Sequence, residues 1–291
     1  MAAAGSNAPP MQPSPVHSPP IHSPIGVFDS GVGGLTVLRA LLADLPAERF
    51  LYLGDTARLP YGTKSAETVA RYSVRAAEAL VARGIKALVV ACNTASSSAL
   101  PALRARFPSL PVIGVIEPGA RAACDASASG RIAVLATEGT VQGGAYTRAI
   151  HGIRSDAHVT PVACQIFVAL AEEGWSEGAA VDAVTQRYLA HLDARIDTVV
   201  LGCTHFPLLA PAITKQLGDG RRVVDSAATT ARATRGELER RGLLRPAGTP
   251  AESRAANLTL LATDSPERFA RVGARFLGAS IAVKAVELVD L

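Results

Sequence analysis

At 291 residues the chain is long enough for one large α/β domain or two modest ones, and its 48% hydrophobic and 19% charged residues are the balance of a globular enzyme. The net charge of +4 comes from 25 arginines and 4 lysines scattered through helical segments, with no basic run interleaved with aromatics, which argues against a nucleic-acid surface. Cys92, Cys124, Cys164 and Cys203 form no C-x-x-C pair, so neither a disulfide framework nor a zinc ribbon is expected; the reading is a cytoplasmic protein without a membrane span, since no apolar run reaches about 18 residues.

Residues 1–24, "MAAAGSNAPPMQPSPVHSPPIHSP", hold seven prolines and neither a basic start nor an apolar core. They do not read as a signal peptide, and they carry too little apolar surface to offset ordering, so a disordered leader is expected. From Ile25 onward short apolar, β-branched runs alternate with longer amphipathic segments. Strands are expected at 25–28, 50–53, 87–91, 112–115, 132–135, 159–163, 198–201, 223–224 and 258–261. Helical patterns lie between them, at 66–82, 177–194 and 229–241 for example. Such alternation indicates parallel sheets with helices on both faces. The fold class expected is α/β, with two doubly wound domains: 25–117 joined by 226–291, and 118–225.

The polar motifs fall at the carboxyl ends of the strands, where open parallel sheets place their active crevice. "FDSGVGGL" follows the first strand, "GDTARLPYGTKS" the second, "ACNTASS" the third, "ATEGTVQGG" the fifth and "GCTHFP" the seventh. Each brings backbone N–H groups and small hydroxyls to a helix start, a seat for a carboxylate or phosphate. None fits G-x-x-x-x-G-K-[ST] or G-x-G-x-x-G, which disfavours a nucleotide.

Cys92 and Cys203, 111 positions apart, occupy equivalent places in two copies of one design, an apolar run ending in a thiol at a helix start. A lone cysteine is most simply a small core hydrophobe, the reading that suits Cys124 and Cys164. A pair offered from opposite walls of a cleft can instead remove a proton from one face of a carbon and return one to the other face. That inverts a stereocentre. No motif for a pyridoxal lysine accompanies the thiols, so no cofactor is expected, and the carbanion would be stabilised by hydrogen bonding and exclusion of water.

The series "FDSGVGGLTVL", "GDTARLPYG", "ACNTAS", "LATEGTV", "ALAEEG" and "GCTHFPLL", in this order between Ile25 and Ala227, resembles the glutamate racemases of the cofactor-independent aspartate/glutamate racemase superfamily. The resemblance implies two α/β domains related by a pseudo-twofold axis with the active site in the cleft between them, and D-glutamate made for peptidoglycan synthesis. It implies Cys92 and Cys203 as the acid/base pair, with Asp29, His205 and Glu172 assisting. Asp29, Ser30, Tyr61, Gly62, Asn93, Thr94, Thr204 and His205 would contact the substrate, and Thr137 and Thr140 more loosely. Gln165 and Ala169 stand where the family has proline, leaving both Glu172 and Glu173 as candidates for the auxiliary acid. The partner implied is the small molecule glutamate, and a homodimer is left open. Two rivals share these residues: a racemase of aspartate or a hydantoin, and a zinc protein using Cys92, Cys203, His205 and Asp29. Asp29 could also be no more than a helix cap.

Overall fold

Parallel sheets covered by helices on both faces need strands without a polar side, and the chain supplies them. Every residue of Ile25–Asp29, Phe50–Gly54, Ala87–Val90 and Thr198–Gly202 is buried. The structure, a computed structural model, describes residues 20–246 and 257–291. Its strands are β1 (Ile25–Asp29), β2 (Phe50–Gly54), β3 (Ala87–Val90), β4 (Val112–Gly114), β5 (Arg131–Ala136), β6 (His158–Ala163), β7 (Thr198–Gly202), β8 (Arg222–Asp225), β9 (Leu258–Ala262) and β10 (Val286–Leu288). The helices are α1 (Leu35–Asp44), α2 (Ala66–Val81), α3 (Asn93–Ser98), α4 (Leu100–Arg106), α5 (Ile116–Ala126), α6 (Glu138–Gly143), α7 (Ala145–Ile153), α8 (Ile166–Glu173), α9 (Ala179–Leu189), α10 (Ala210–Leu217), α11 (Ala227–Arg240) and α12 (Pro266–Leu277).

Two sheets form, all of their pairings parallel: β10-β9-β2-β1-β3-β4 and β6-β5-β7-β8. The order 2-1-3-4 within the first sheet recurs as 6-5-7-8 in the second. β3 and β7 are therefore counterparts, and so are the cysteines that follow them. This is the two-domain α/β architecture expected from the alternating pattern. Helix α5 carries the chain from the first sheet to the second, and α11 carries it back. We propose domain boundaries at 117/118 and 225/226; the first falls within the opening turn of α5.

Three features differ from the expectation. β10 pairs with β9 at the edge of the first sheet; with three residues, two of them exposed, it has too short a pattern to stand out. Helix α9 starts at Ala179 rather than at 177, after Gly178 in the left-handed region (φ +97°), and ends at Leu189. Of the expected leader, residues 1–19 lie outside the described ones, while Ile21–Pro24 are tied to the body. The fully buried Lys86 requires acceptors for its ammonium, and it donates to Glu48, to the Ile21 carbonyl (2.8 Å) and to the Leu243 carbonyl (2.8 Å). Its backbone N–H donates to the Pro24 carbonyl (2.9 Å).

The two halves meet closely where side chains are absent. A Cβ added at Gly33 would lie 2.4 Å from both His205 Nδ1 and Thr204 Oγ1, and one at Gly143 would lie 2.2 Å from Ser97 Oγ. Beside Gly33, the Thr36 hydroxyl donates to its carbonyl (2.9 Å) and to that of Thr204 (3.2 Å).

Candidate active site

The tips of β1, β3 and β7 bring the expected groups together. Asp29 ends β1 fully buried; its Oδ2 accepts from the Gly31 N–H (2.9 Å) and lies 3.4 Å from the Tyr52 hydroxyl, while Oδ1 has no hydrogen-bond partner. Burial pushes this carboxyl above its ordinary range, against the opposing charge of His205 and the N–H groups of Gly34, Gly31 and Ser30. Its oxygens hold the turn of the glycine motif rather than a helix end, for α1 begins at Leu35 without a side-chain cap. Cys92 follows β3 and caps α3, its Sγ accepting from the Ala95 N–H (3.4 Å) and lying 3.6 Å from Ser30 Oγ. Burial, then the Asp29 charge, push the Cys92 thiol up to about 12, so this sulfur keeps its proton at neutral pH.

Cys203 at the tip of β7 has different company. Its Sγ lies 3.8 Å from His205 Nδ1, and His205 Nε2 lies 3.1 Å from Glu172 Oε1. Burial disfavours the imidazolium, but hydrogen bonds to Cys203 and Glu172 outweigh it and lift His205 to about 10. Burial likewise raises the Glu172 carboxyl, yet His205 and Arg268 outweigh it and hold it below the usual range. The two sulfurs thus sit in opposite fields, Cys92 beside a buried carboxyl and Cys203 beside a buried imidazolium.

A small pocket of about 30 Å³ joins them. Of the expected residues, Ser30, Tyr61, Gly62, Cys92, Asn93, Thr94, Thr137, Cys203, Thr204 and His205 line it. Asp29, Glu172 and Thr140 stand one layer behind. The Thr140 hydroxyl closes a triangle with those of Thr94 (3.1 Å) and Thr137 (3.0 Å), which are 2.9 Å apart. Glu172 is the acid that reaches His205; Glu173 is exposed. Tyr61 enters through its ring and backbone, because its hydroxyl donates to the buried Asp55 (2.6 Å). Asn93 accepts from the Tyr146 hydroxyl (2.8 Å) and its buried Nδ2 has no hydrogen-bond partner, leaving a donor at the cavity.

Leu59, Pro60, Gln165 and Val168 complete the wall and were not among the expected site residues. Leu59 and Pro60 lie inside "GDTARLPYG", so proximity to that motif is the signal available for them. Gln165 was legible only as a departure from the family pattern, and nothing local marks Val168. A wider groove of about 960 Å³ runs between α4, α5 and α11, past Arg104, Arg121 and Glu237, and none of the strand-tip groups reaches it. Among the described residues no three or more His, Cys, Asp or Glu side chains converge in a metal-holding arrangement, which leaves the zinc reading without a ligand set. No helix among them is long and apolar enough to cross a membrane.

Two parallel-sheet domains that enclose two thiols, one beside a carboxyl and one beside an imidazolium, define an acid–base enzyme of the α/β class. A family model described as Asp/Glu/Hydantoin racemase matches residues 25–234. A glutamate racemase of Geobacter metallireducens is 50% identical over 258 residues, 88% of this chain and 93% of that protein. Among solved structures, glutamate racemase of Francisella tularensis with D-glutamate aligns at a TM-score of 0.84 and 33% identity, covering 93% of this chain and 98% of that one. That of Thermus thermophilus with β-chloro-D-alanine aligns at 0.82 and 43% identity, with the same coverage. The chain belongs to the Asp/Glu/hydantoin racemase family and is an amino-acid racemase, an isomerase.

Proposed function

We propose that the enzyme interconverts L- and D-glutamate by transferring protons between the substrate α-carbon and two sulfurs, without a cofactor. The observation that carries this reading is the pocket lined by both Cys92 and Cys203, which stand in opposite electrostatic settings. The names of the relatives, and the D-glutamate in the Francisella protein, support glutamate over aspartate or a hydantoin.

In one direction Cys203, which lies beside His205, acts as the base and Cys92 as the acid. The Cys203 sulfur takes the α-proton from one face, and Cys92 delivers its own proton to the other face. The reverse reaction exchanges the roles, as reversibility requires. Negative charge developing on the substrate carboxylate is met by donors built into a water-poor cavity. Asn93 Nδ2, unpartnered and buried, is one such donor, and the hydroxyls of Ser30, Thr94 and Thr204 are others. Asp29 stands behind Cys92 and Ser30 and takes up charge changes at that sulfur and at the substrate amino group. The Gly62 and Tyr61 backbone borders the substrate. All four cysteines are free, which suits a reducing cytosol, where D-glutamate would enter peptidoglycan synthesis.

The test is optical: the purified protein, given L- or D-glutamate and no additive, is expected to bring either to a racemic mixture. Cys92→Ser and Cys203→Ser are each expected to abolish this, since a hydroxyl ionises far less readily than a thiol. A single-cysteine variant that racemises at the wild-type rate overturns the two-thiol reading. Faster turnover of aspartate than of glutamate overturns the substrate.

A further inference from the structure

Helix α12 belongs to the first sheet's side of the molecule, packing on α1 and β10. It begins about 30 residues beyond the end of the family match and carries none of the motifs. Yet one face of it lies against the pair that serves Cys203. Arg268 Nη2 donates to Glu172 Oε2 (2.9 Å), so each carboxylate oxygen of Glu172 has its own cationic partner, His205 on Oε1 and Arg268 on Oε2. Seven residues on, Arg275 Nη1 donates to the Glu172 carbonyl (2.8 Å), a group that the end of α8 leaves without a helical partner. Its guanidinium fits over Gly174, where an added Cβ would meet Arg275 Cζ at 2.6 Å. One residue further, the Phe276 ring stands edge-on to His205, with ring centroids 5.0 Å apart and planes at 72°. Spacings of i, i+7 and i+8 place all three on one helix face.

We propose that Arg268 is a positioning residue for Cys203: from the opposite domain it fixes the Glu172 carboxylate, and through it the His205 ring, in line with that sulfur. Arg268 does not line the cavity, so it acts through Glu172 and not on the substrate. A carboxylate held by one partner alone turns freely about its terminal torsion, which is broad and roughly two-fold. The second guanidinium bond removes that freedom, and the charged pair shields Glu172 from solvent on its outer side. Because Glu172 sits on α8 and Arg268 on α12, the relay is complete only when the two domains are together. Among the described residues Cys92 has no counterpart of this device; its neighbours are Ser30, the Ala95 N–H and Asp29. Arg268 therefore serves one of the two half-reactions.

This rests on the two-thiol glutamate reading, and the experiment separates the two. The probe is threo-3-chloroglutamate as separate enantiomers. Removal of its α-proton by a sulfur expels chloride from the β-carbon, and the enamine so formed hydrolyses to 2-oxoglutarate and ammonia. Each enantiomer needs one sulfur as base, and no proton has to be returned from the opposite face. Wild type is expected to eliminate both enantiomers. Arg268→Gln is expected to slow one enantiomer about tenfold, the lower end of what a charged hydrogen bond is worth, and to leave the other within twofold. The slowed enantiomer is the one that Cys92→Ser still processes. Arg268→Lys, which keeps the charge, is expected to restore at least half of the lost rate. The Arg268 side chain is half-exposed, so these changes leave the core intact. Equal slowing of both enantiomers, or of neither, overturns the assignment to Arg268. Failure of the wild type to racemise glutamate overturns the functional reading instead.

Discussion

Replacing Gly33 by alanine asks whether catalysis depends on how closely the two domains approach. Gly33 is not in the left-handed region, so alanine brings no backbone strain and the whole effect is steric. The new methyl would lie 2.4 Å from His205 Nδ1 and Thr204 Oγ1 and 2.5 Å from His205 Cε1, where ordinary contact begins near 3.4 Å. The Thr204–His205 loop must therefore retreat by about 1 Å, or the domains must part by that much. His205 is backed by Glu172 at 3.1 Å and by the Phe276 ring, so it cannot yield alone, and the shift passes to Cys203. A displacement of about 1 Å at reacting groups costs on the order of 10²-fold in rate. Overpacking of this kind adds about 1–3 kcal/mol of destabilisation. Racemisation measured polarimetrically from both enantiomers should show kcat/KM lowered about 100-fold in each direction, in equal measure because the equilibrium constant of a racemisation is one. Gly236→Ala in α11, whose methyl meets nothing within 4 Å, is the control; it should keep full activity and gain about 0.5–1 kcal/mol in stability. A Gly33→Ala enzyme within threefold of wild type would refute the idea that this contact sets the position of the second thiol.

The pH profile follows from His205 and Glu172. His205 is raised from 6.5 to about 10, so its contribution to stability is complete below about 6.5 and is lost as pH rises through about 10. Urea midpoints should fall over that window, and elimination through Cys203 should decline on its alkaline side while that through Cys92 does not. Glu172 is lowered, so its share is present above the ordinary glutamate range and is lost on acidification through its depressed value; a midpoint that rises on acidification would contradict this. Lys86→Met strands the buried Glu48 carboxylate and should cost about 3–5 kcal/mol by urea unfolding, with much of the loss recovered by adding Glu48→Met. Removing residues 1–19 should leave the melting temperature unchanged. Removing 1–24 deletes two acceptors of Lys86 and should cost about 1–3 kcal/mol, several degrees of melting temperature. Equal melting of the two truncations would show that Ile21–Pro24 do not hold Lys86.

Local pattern was enough for much of this molecule. An apolar run of four or five residues ending in a thiol, an amide or hydroxyl and a helix start carries its own information, because burial on both faces and the turn at the strand tip are decided within about ten residues. Hence β3 with Cys92 and β7 with Cys203 could be read as counterparts, the two-sheet α/β fold followed from the alternation, and most of the cavity wall lay inside the motifs. Tertiary structure decided which distant charges meet. Glu172 and Glu173 are adjacent on one helix, and only the docking of α8 against the Phe206–Leu209 turn and the arginines of α12 turns the first toward His205. Arg268 reaches Glu172 across 96 positions from a helix without a motif, and Lys86 draws its acceptors from Ile21, Glu48 and Leu243. Gly33 read as part of a helix-start loop, and its absent side chain matters because Thr204 and His205 arrive from the other domain. Such pairings leave no periodic trace along the chain. They are selected by the sum of packing over both domains, in which a buried charge or a missing methyl has value only once its partner, far away in sequence, has been brought within contact distance.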